Sequence, residues 1–268
     1  MSLSVIELIQ KRKSVRSFTG ESLNEEVMHN LKHYINQLSA PFGAKARVEF
    51  ISTDTGEQPV KLGTYGVIRG ARHFLALLIE EGPMAEVGAG YLFEELILYC
   101  TQLGLGTCWL GASFKSGDFL AQIDLRNNEK LVIISPVGYP KEKRTRIDSL
   151  MRMGAGSDRR KPFESLFFKD SFNVPLTPED ADKYRVPLEM VRLAPSGSNK
   201  QPWRIVKEQQ AFHFYHQVSR FSLNDIGIAL CHFELTCNEL HLNGRFTFQE
   251  NVPQTRGLEY VLSWMSEC

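Results

Sequence analysis

The sequence has no net charge, since its 268 residues carry 31 Lys plus Arg against 31 Asp plus Glu. A chain built to bind nucleic acid carries a basic excess to meet the phosphates, so nucleic acid is not expected as a partner. Long apolar runs are missing as well. The run 74–79 is among the longest, far short of the roughly 20 residues that span a bilayer, so no membrane is expected either. The start Met1-Ser2-Leu3-Ser4 has neither the charged nor the apolar region of a signal peptide, and a cytoplasmic protein is expected. Cysteine is scarce: Cys100, Cys108, Cys231, Cys237 and Cys268 are odd in number and lack C-x-x-C spacing. They read as free thiols in a reducing compartment, with no metal site. No G-x-G-x-x-G is present to cradle a pyrophosphate. What remains is a chain that is 43% hydrophobic, enough for one sizeable core or two smaller ones.

Apolar periodicity predicts a short helix over 5–11, with Val5, Leu8 and Ile9 on one face. Ser22-Leu23-Asn24-Glu25 reads as a capping box opening a helix to about Leu38. Strands are expected over 48–53, 73–80 and 130–137, the second continuously apolar, as in a buried sheet. The stretch 84–103 is apolar almost all round, which predicts a core helix buried against another helix, ended by Gly104-Leu105-Gly106. Residues 141–160 are polar and charged and read as a linker. Thr177 and Pro178 suit the cap and first position of a later helix, and Pro187 should kink or break it.

Two segments combine residue types that carry chemistry. Ala194-Pro195-Ser196-Gly197-Ser198-Asn199-Lys200-Gln201-Pro202-Trp203 places a helix stop, a small polar loop and an extended segment in ten residues. It offers two hydroxyls, two amides and several backbone N–H groups, a surface for a polar planar ligand or simply a helix-to-strand turn. Arg12, Ser14 and Arg16 alternate in the other segment, so on an extended chain all three point to one side. Two guanidinium forks and a hydroxyl suit a phosphate and a carbonyl; a solvated helix end explains the same residues.

Together these motifs make the chain similar to the nitroreductase-like FMN-dependent oxidoreductases. A-P-S-x-x-N-x-Q-P-W resembles the loop that lies over the flavin in that family, and R-x-S-x-R resembles its phosphate-binding segment. The resemblance implies an α+β fold with FMN as cofactor and no side chain acting as acid or base. Arg12 and Ser14 would then hold the phosphate and ribityl chain. Arg16, with Lys13, would meet the pyrimidine edge, while Pro195, Ser196, Gly197, Ser198, Asn199 and Gln201 would face the ring. Gly104-Leu105-Gly106-Thr107-Cys108-Trp109-Leu110-Gly111 resembles the family's G-x-G-T-C-W-x-G stretch, which implies cofactor contacts at Cys108, Leu110 and Gly111, with a backbone N–H aimed at flavin N5. Arg159-Arg160-Lys161-Pro162 resembles a basic segment that adds a phosphate contact, by Arg159 and Arg160. One departure stands out. Gly63-Thr64-Tyr65-Gly66 replaces the Asn and Lys that many relatives place against the pyrimidine, leaving Tyr65 or the backbone to serve that edge.

The pattern also recurs within the chain. Ser171-Phe172 aligns with Ser17-Phe18, Ala194-Pro195 with Ala40-Pro41, and a second long helix over 225–242 repeats the first, with Gly227 on Gly90 and Cys237 on Cys100. The expected organisation is a first half over 1–145, a linker over 146–164 and a second half over 165–268. These two tandem α+β repeats would form an intrachain pseudo-dimer around long central helices, the fused TM-type nitroreductase form. Each half carries one motif. The first has Phe42 and Ala44 in place of the flavin loop, and the second has Leu166, Phe168 and Asp170 in place of the arginines and serine. The function expected from the resemblance is hydride transfer from NAD(P)H through FMN to nitroaromatic, quinone or similar acceptors by a ping-pong mechanism, in a monomer. The alternative is a flavin-binding protein without turnover, its pocket closed by Trp109 or Phe114.

Overall fold

The computed structural model describes residues 3–53, 62–141 and 159–267. The chain divides into two compact units, one of Lys11–Ala155 and the other of Gly156–Cys268 together with Ser4–Gln10. The first helix, α1 (Val5–Lys11), therefore belongs with the second unit, not with the residues that follow it as the sequence boundaries placed it. Its apolar face, Leu8 and Ile9, is buried, and the Val5 N–H donates to the carboxylate of Glu239. Most of the expected linker lies outside the described residues. Its last part does not behave as a linker: Phe163–Ser165 forms a 3₁₀ turn, and Phe163 packs its ring on Phe167 at 4.5 Å.

In the first unit α2 (Glu25–Gln37) is capped by Asn24, whose side chain accepts the Val27 N–H at 2.7 Å. The expected box at Ser22 is thus shifted by two residues, since Asn caps as well as Ser and Leu23 is drawn into the core instead. The strands are β1 (Ala46–Ser52), β2 (His73–Glu80), β3 (Gly106–Thr107) and β4 (Glu129–Gly138), in the order β1-β2-β4-β3. Pairing on both sides explains why β2 is apolar without alternation: every residue but Glu80 is buried. The long helix α3 (Ala85–Gln102) lies on β1, β2 and β3 and touches α2, where Tyr34 stacks on Tyr99. A short helix, α4 (Ser116–Leu120), follows before β4.

The second unit holds β5 (Phe167–Lys169), α5 (Arg185–Leu193), β6 (Trp203–Glu208), β7 (Ala211–His216), α6 (Ser222–Glu239), β8 (Gly244–Thr247) and β9 (Glu259–Ser266). Its sheet runs β5-β6-β7-β9-β8, so beyond β5 it follows the order of the first sheet. The helix expected from Thr177 breaks before Pro187. Thr177 caps only one turn, a 3₁₀ segment follows over Asp182–Tyr184, and α5 starts so that Pro187 lies in its first turn, where no N–H is needed. The long helix α6 begins three residues before the expected Asp225, matching α3 in length at 18 residues. Both end alike. Leu105 N–H returns to Cys100 O and Gly104 N–H to Thr101 O; Leu242 N–H returns to Cys237 O and His241 N–H to Asn238 O.

One expected correspondence is not reproduced. Ser17 and Phe18 bridge to Arg69 and Pro140, whereas Ser171 and Phe172 sit in a turn beyond β5, which runs parallel to β6. Leu166, Phe168 and Asp170 therefore occupy a different sheet edge from Arg12, Ser14 and Arg16. Among the described residues no helix is long and apolar enough to cross a membrane, and no cluster could hold a metal ion. Cys100, Cys108, Cys231 and Cys237 are free and buried, while Cys268 lies outside the described residues.

The glycine at 106 lets the Arg12–Phe18 segment dock. A Cβ there would lie 2.8 Å from Val15 Cβ and from both its methyl groups. Gly106→Ala should therefore cost about 1–3 kcal/mol in urea denaturation; an unchanged midpoint would show that Val15 can move away freely.

Candidate functional site

In the first unit, residues 14–18 run extended over β3 and the neighbouring loop. Val15 N–H donates to Thr107 O at 2.8 Å, Arg69 N–H to Arg16 O at 2.9 Å, and Phe18 N–H to Arg69 O at 2.9 Å. Val15 and Phe18 anchor the segment in the core. Ser14 and Arg16, on either side of Val15, are only partly buried, and Lys13 is exposed. Arg12 is different. Its side chain is 7% exposed, and its Nε has no hydrogen-bond partner, the nearest carboxylate oxygen being Glu94 Oε1 at 3.7 Å. Glu94 is fully buried on α3 and accepts the Trp109 indole N–H at 2.9 Å, while Phe93 meets the indole ring edge-to-face. The sequence reading passed over Glu94, because it sits in an otherwise apolar helix pattern.

The glycine-rich stretch divides its backbone donors. Cys108 N–H goes to Ser135 Oγ at 3.0 Å, and Cys108 is buried. Leu110 exchanges backbone bonds with Ile134 in both directions, so its own N–H is engaged within the sheet. The two-way bridge extends the sheet by one pair and leaves Gly111 as the first residue past it. Tyr65, at φ 47° and 66% exposed, stands out from the surface. Phe114 packs edge-to-face on Phe119 inside the core. Trp109 is likewise held in place by Glu94 and Phe93.

In the second unit the loop after α5 takes the unusual backbone angles its composition predicts. Ser198, Asn199 and Gln201 have φ values of 52°, 54° and 46°, a region that costs a non-glycine residue roughly 1–2 kcal/mol. Local bonds hold it there. Ser196 Oγ accepts the Gln201 N–H at 2.9 Å, and Asn199 Oδ1 accepts from Arg160 at 3.1 Å and from Gln201 Nε2 at 3.2 Å. Asn199 donates to Arg159 O at 2.8 Å, and Gln201 Oε1 accepts the Lys161 N–H at 2.8 Å. The two amides thus tie the loop to Arg159, Arg160 and Lys161, and Ser198 and Lys200 are its exposed members. Arg204 and Lys161 both donate to Gln201 O, and burial pushes both groups below their ordinary values, Lys161 further through the charge of Arg204.

The loop also rests on Asp225, which lies in the first turn of α6 and is 4% exposed. Its Oδ1 accepts the Gly197 N–H at 2.9 Å. Burial pushes its carboxyl up to about 7, against the opposing pull of that N–H and of Lys200. A buried acid held by a motif residue was not legible in the sequence, where Asp225 stood only as the start of a helix.

Comparison with known proteins follows from this geometry. The sequence profile of the family described as "Putative TM nitroreductase" matches residues 4–237. A solved structure described as a "putative nitroreductase" from Thermotoga maritima superposes with a TM-score of 0.61 at 22% identity, covering 99% of this chain and 94% of that one. A nitroreductase family protein from Clostridium difficile gives a TM-score of 0.43 at 15% identity over 56% of this chain and 92% of its own. A "putative nitroreductase" from Desulfovibrio desulfuricans, solved in complex with FMN, gives 0.41 at 19% identity over 56% and 96%. No curated protein sequence matches the chain.

Asp225 makes a prediction about stability and pH. Its ordinary value is 3.8 and its folded value about 7, so between these the folded chain keeps a proton that the unfolded chain has released. Its contribution is therefore fully present below about pH 4 and is lost as pH rises through 7. Asp225→Asn, which carries no charge at any pH, should be more stable than wild type at pH 8 by on the order of 2–4 kcal/mol, with the gap closing near pH 4. Urea denaturation at both pH values checks this; a gap that does not change with pH would mean that Asp225 does not titrate in this range.

Proposed function

The chain belongs to the family described as "Putative TM nitroreductase", and from that premise we propose that it is an FMN-dependent oxidoreductase built as an intrachain pseudo-dimer. The donor is NADH or NADPH, and the acceptor a nitroaromatic, a quinone or a similar flat molecule. The observation that carries the reading is the Arg12 guanidinium. It is buried at the end of a segment pinned by Val15 and Phe18, with Nε lacking a hydrogen-bond partner and with the partly buried Ser14 and Arg16 following it in the chain. Glu94 offsets part of that charge but at 3.7 Å makes no hydrogen bond to Nε, and a buried donor left unmet is costly. A phosphate monoester beside Arg12 and the Ser14 hydroxyl would meet it, leaving Arg16 for a pyrimidine carbonyl, and this donor set fits FMN.

When bound, FMN would supply the two-electron chemistry between a nicotinamide donor and the acceptor. The chain's residues bind and orient. Arg12 would neutralise the phosphate, with the Ser14 hydroxyl donating to the phosphate or ribityl chain, and Arg159 and Arg160 would add positive charge. Lys13 and Arg16 would place positive charge at the pyrimidine edge, with Tyr65 or the backbone around it serving the same edge. The Pro195–Gln201 loop is small and polar where a flat ring must lie, and Gly111 offers its N–H past the Leu110 bridge. Duplication of the fold is supported by the shared strand order and the paired 18-residue helices. The sequence carries one R-x-S-x-R set, and Leu166, aligned with Arg12, is apolar and fully buried. One FMN per chain follows, with no second copy of the chain needed to complete the motifs.

Two measurements test this. Flavin released by denaturation should be FMN, at one per chain, and Arg12→Ala or Arg16→Ala should weaken its binding about tenfold to a hundredfold, or roughly 1.5–3 kcal/mol; unchanged affinity in both variants would return the segment to a solvated helix end. Turnover should be ping-pong, with parallel double-reciprocal lines, because donor and acceptor use the same flavin face in turn. Converging lines would point to a second substrate surface, and no oxidation of either nicotinamide with any acceptor to a flavin-binding protein without turnover.

A further inference from the structure

The two long helices differ at one position that bears on the loop. Gly88 is the fourth residue of α3 and Asp225 the fourth of α6. In the first unit, the segment 40–46 lies directly on Gly88, whose Cβ, if it had one, would sit 2.4 Å from Ala44 Cβ and 2.7 Å from Pro41 O. No side chain fits there. In the second unit the corresponding helix position carries a carboxylate, and the backbone of the Pro195–Gln201 loop is held off the helix by it, Gly197 N–H donating to Asp225 Oδ1 at 2.9 Å. A Cβ at Gly197 would come no closer than 3.4 Å to Phe221 and 3.7 Å to the carboxylate, so the spacing is set by the hydrogen bond and not by a clash.

We propose that Asp225 is the positioning residue of the flavin loop: its carboxylate fixes the Gly197 backbone and so sets the height and orientation of Ser198, Asn199 and Gln201 against the FMN ring. The assignment rests on the FMN reading above. Three left-handed residues in a row of five form a strained loop, and such a loop persists only where its surroundings over-determine it. Ser196 and the two amides fix its sides, and Asp225 fixes its base. Burial disfavours the ionised carboxylate, and a neutral residue would fold more readily at this place. The acid is therefore better explained by what it holds than by packing. The same bond has a consequence for recognition, since the Gly197 N–H is already engaged. Ring contacts must come from the residues after it.

The test is FMN titration of wild type, Asp225→Ala and Asp225→Asn, with visible circular dichroism of the bound flavin and amide hydrogen exchange of the FMN-free proteins. Asn presents the same acceptor oxygen, so it should keep affinity within about threefold and preserve the flavin dichroism. Ala should lose about tenfold or more, alter the dichroism and speed exchange at Gly197. Equal affinity and dichroism for Ala and wild type would overturn the proposal, as would an Asn variant no better than Ala. Should the Ala variant fail to fold, Asp225→Ser, with an acceptor too short to reach Gly197, takes its place with the same expectations. Absence of FMN uptake by wild type would sink the cofactor reading itself and the flavin part of this assignment with it, while exchange at Gly197 still decides whether Asp225 holds the loop.

Discussion

A carboxylate on a helix with an apolar, buried surface must find donors, because an unmet buried charge costs more than a helix of this size gains elsewhere. That constraint organises both candidate motifs. Glu94 on α3 is fully buried and is met by the Trp109 indole, with the Arg12 guanidinium nearby. Asp225 on α6 is met by the Gly197 N–H. In each unit the polar group of the long helix reaches for the segment that carries the chemistry. The apolar helix therefore does more than fill the core: it sets where the functional chain segments sit.

The two units solve one architectural problem with different side chains. Both sheets place their central strand between two antiparallel neighbours, and both long helices end in the same pair of backbone bonds. The helix ends differ in residue, Gly104 against His241 at φ 56°, because the backbone asks for a left-handed conformation and glycine only makes it cheaper. The inner positions differ in purpose. Glu94, tenth on α3, corresponds to Cys231 on α6, where no arginine segment needs a partner; Asp225 corresponds to Gly88, where the loop lies flat on the helix. Polar residues have been kept where a motif leans on them and are replaced by small or apolar ones where none does.

Such supports are held against stability. Asp225 is pushed towards neutrality by burial, and the loop above it contains three residues in a region that non-glycine residues avoid. Each would be simpler to fold as something else. Strain and an uncomfortable acid next to each other mark a place where geometry has been chosen over packing.

Sequence alone determined the elements and the motif chemistry. The unbroken apolar run of β2, the all-round apolar pattern of α3 and the break enforced by Pro187 follow from local rules of burial and backbone geometry, and they stand at or within a few residues of where the pattern put them. The extended course of residues 14–18 follows from the same rules, with Ser14 and Arg16 partly buried on either side of the buried Val15. Tertiary structure decided the rest. Which unit α1 joins depends on where its apolar face finds cover, and no local pattern carries that information. Whether Leu110 or Gly111 offers a free N–H depends on the partner strand at Ile134. That Glu94 and Asp225 serve the motifs could not be read from a string, because a buried acid in an apolar helix looks like an interruption until the donor that meets it, 15 residues away for one and 28 for the other, is folded against it.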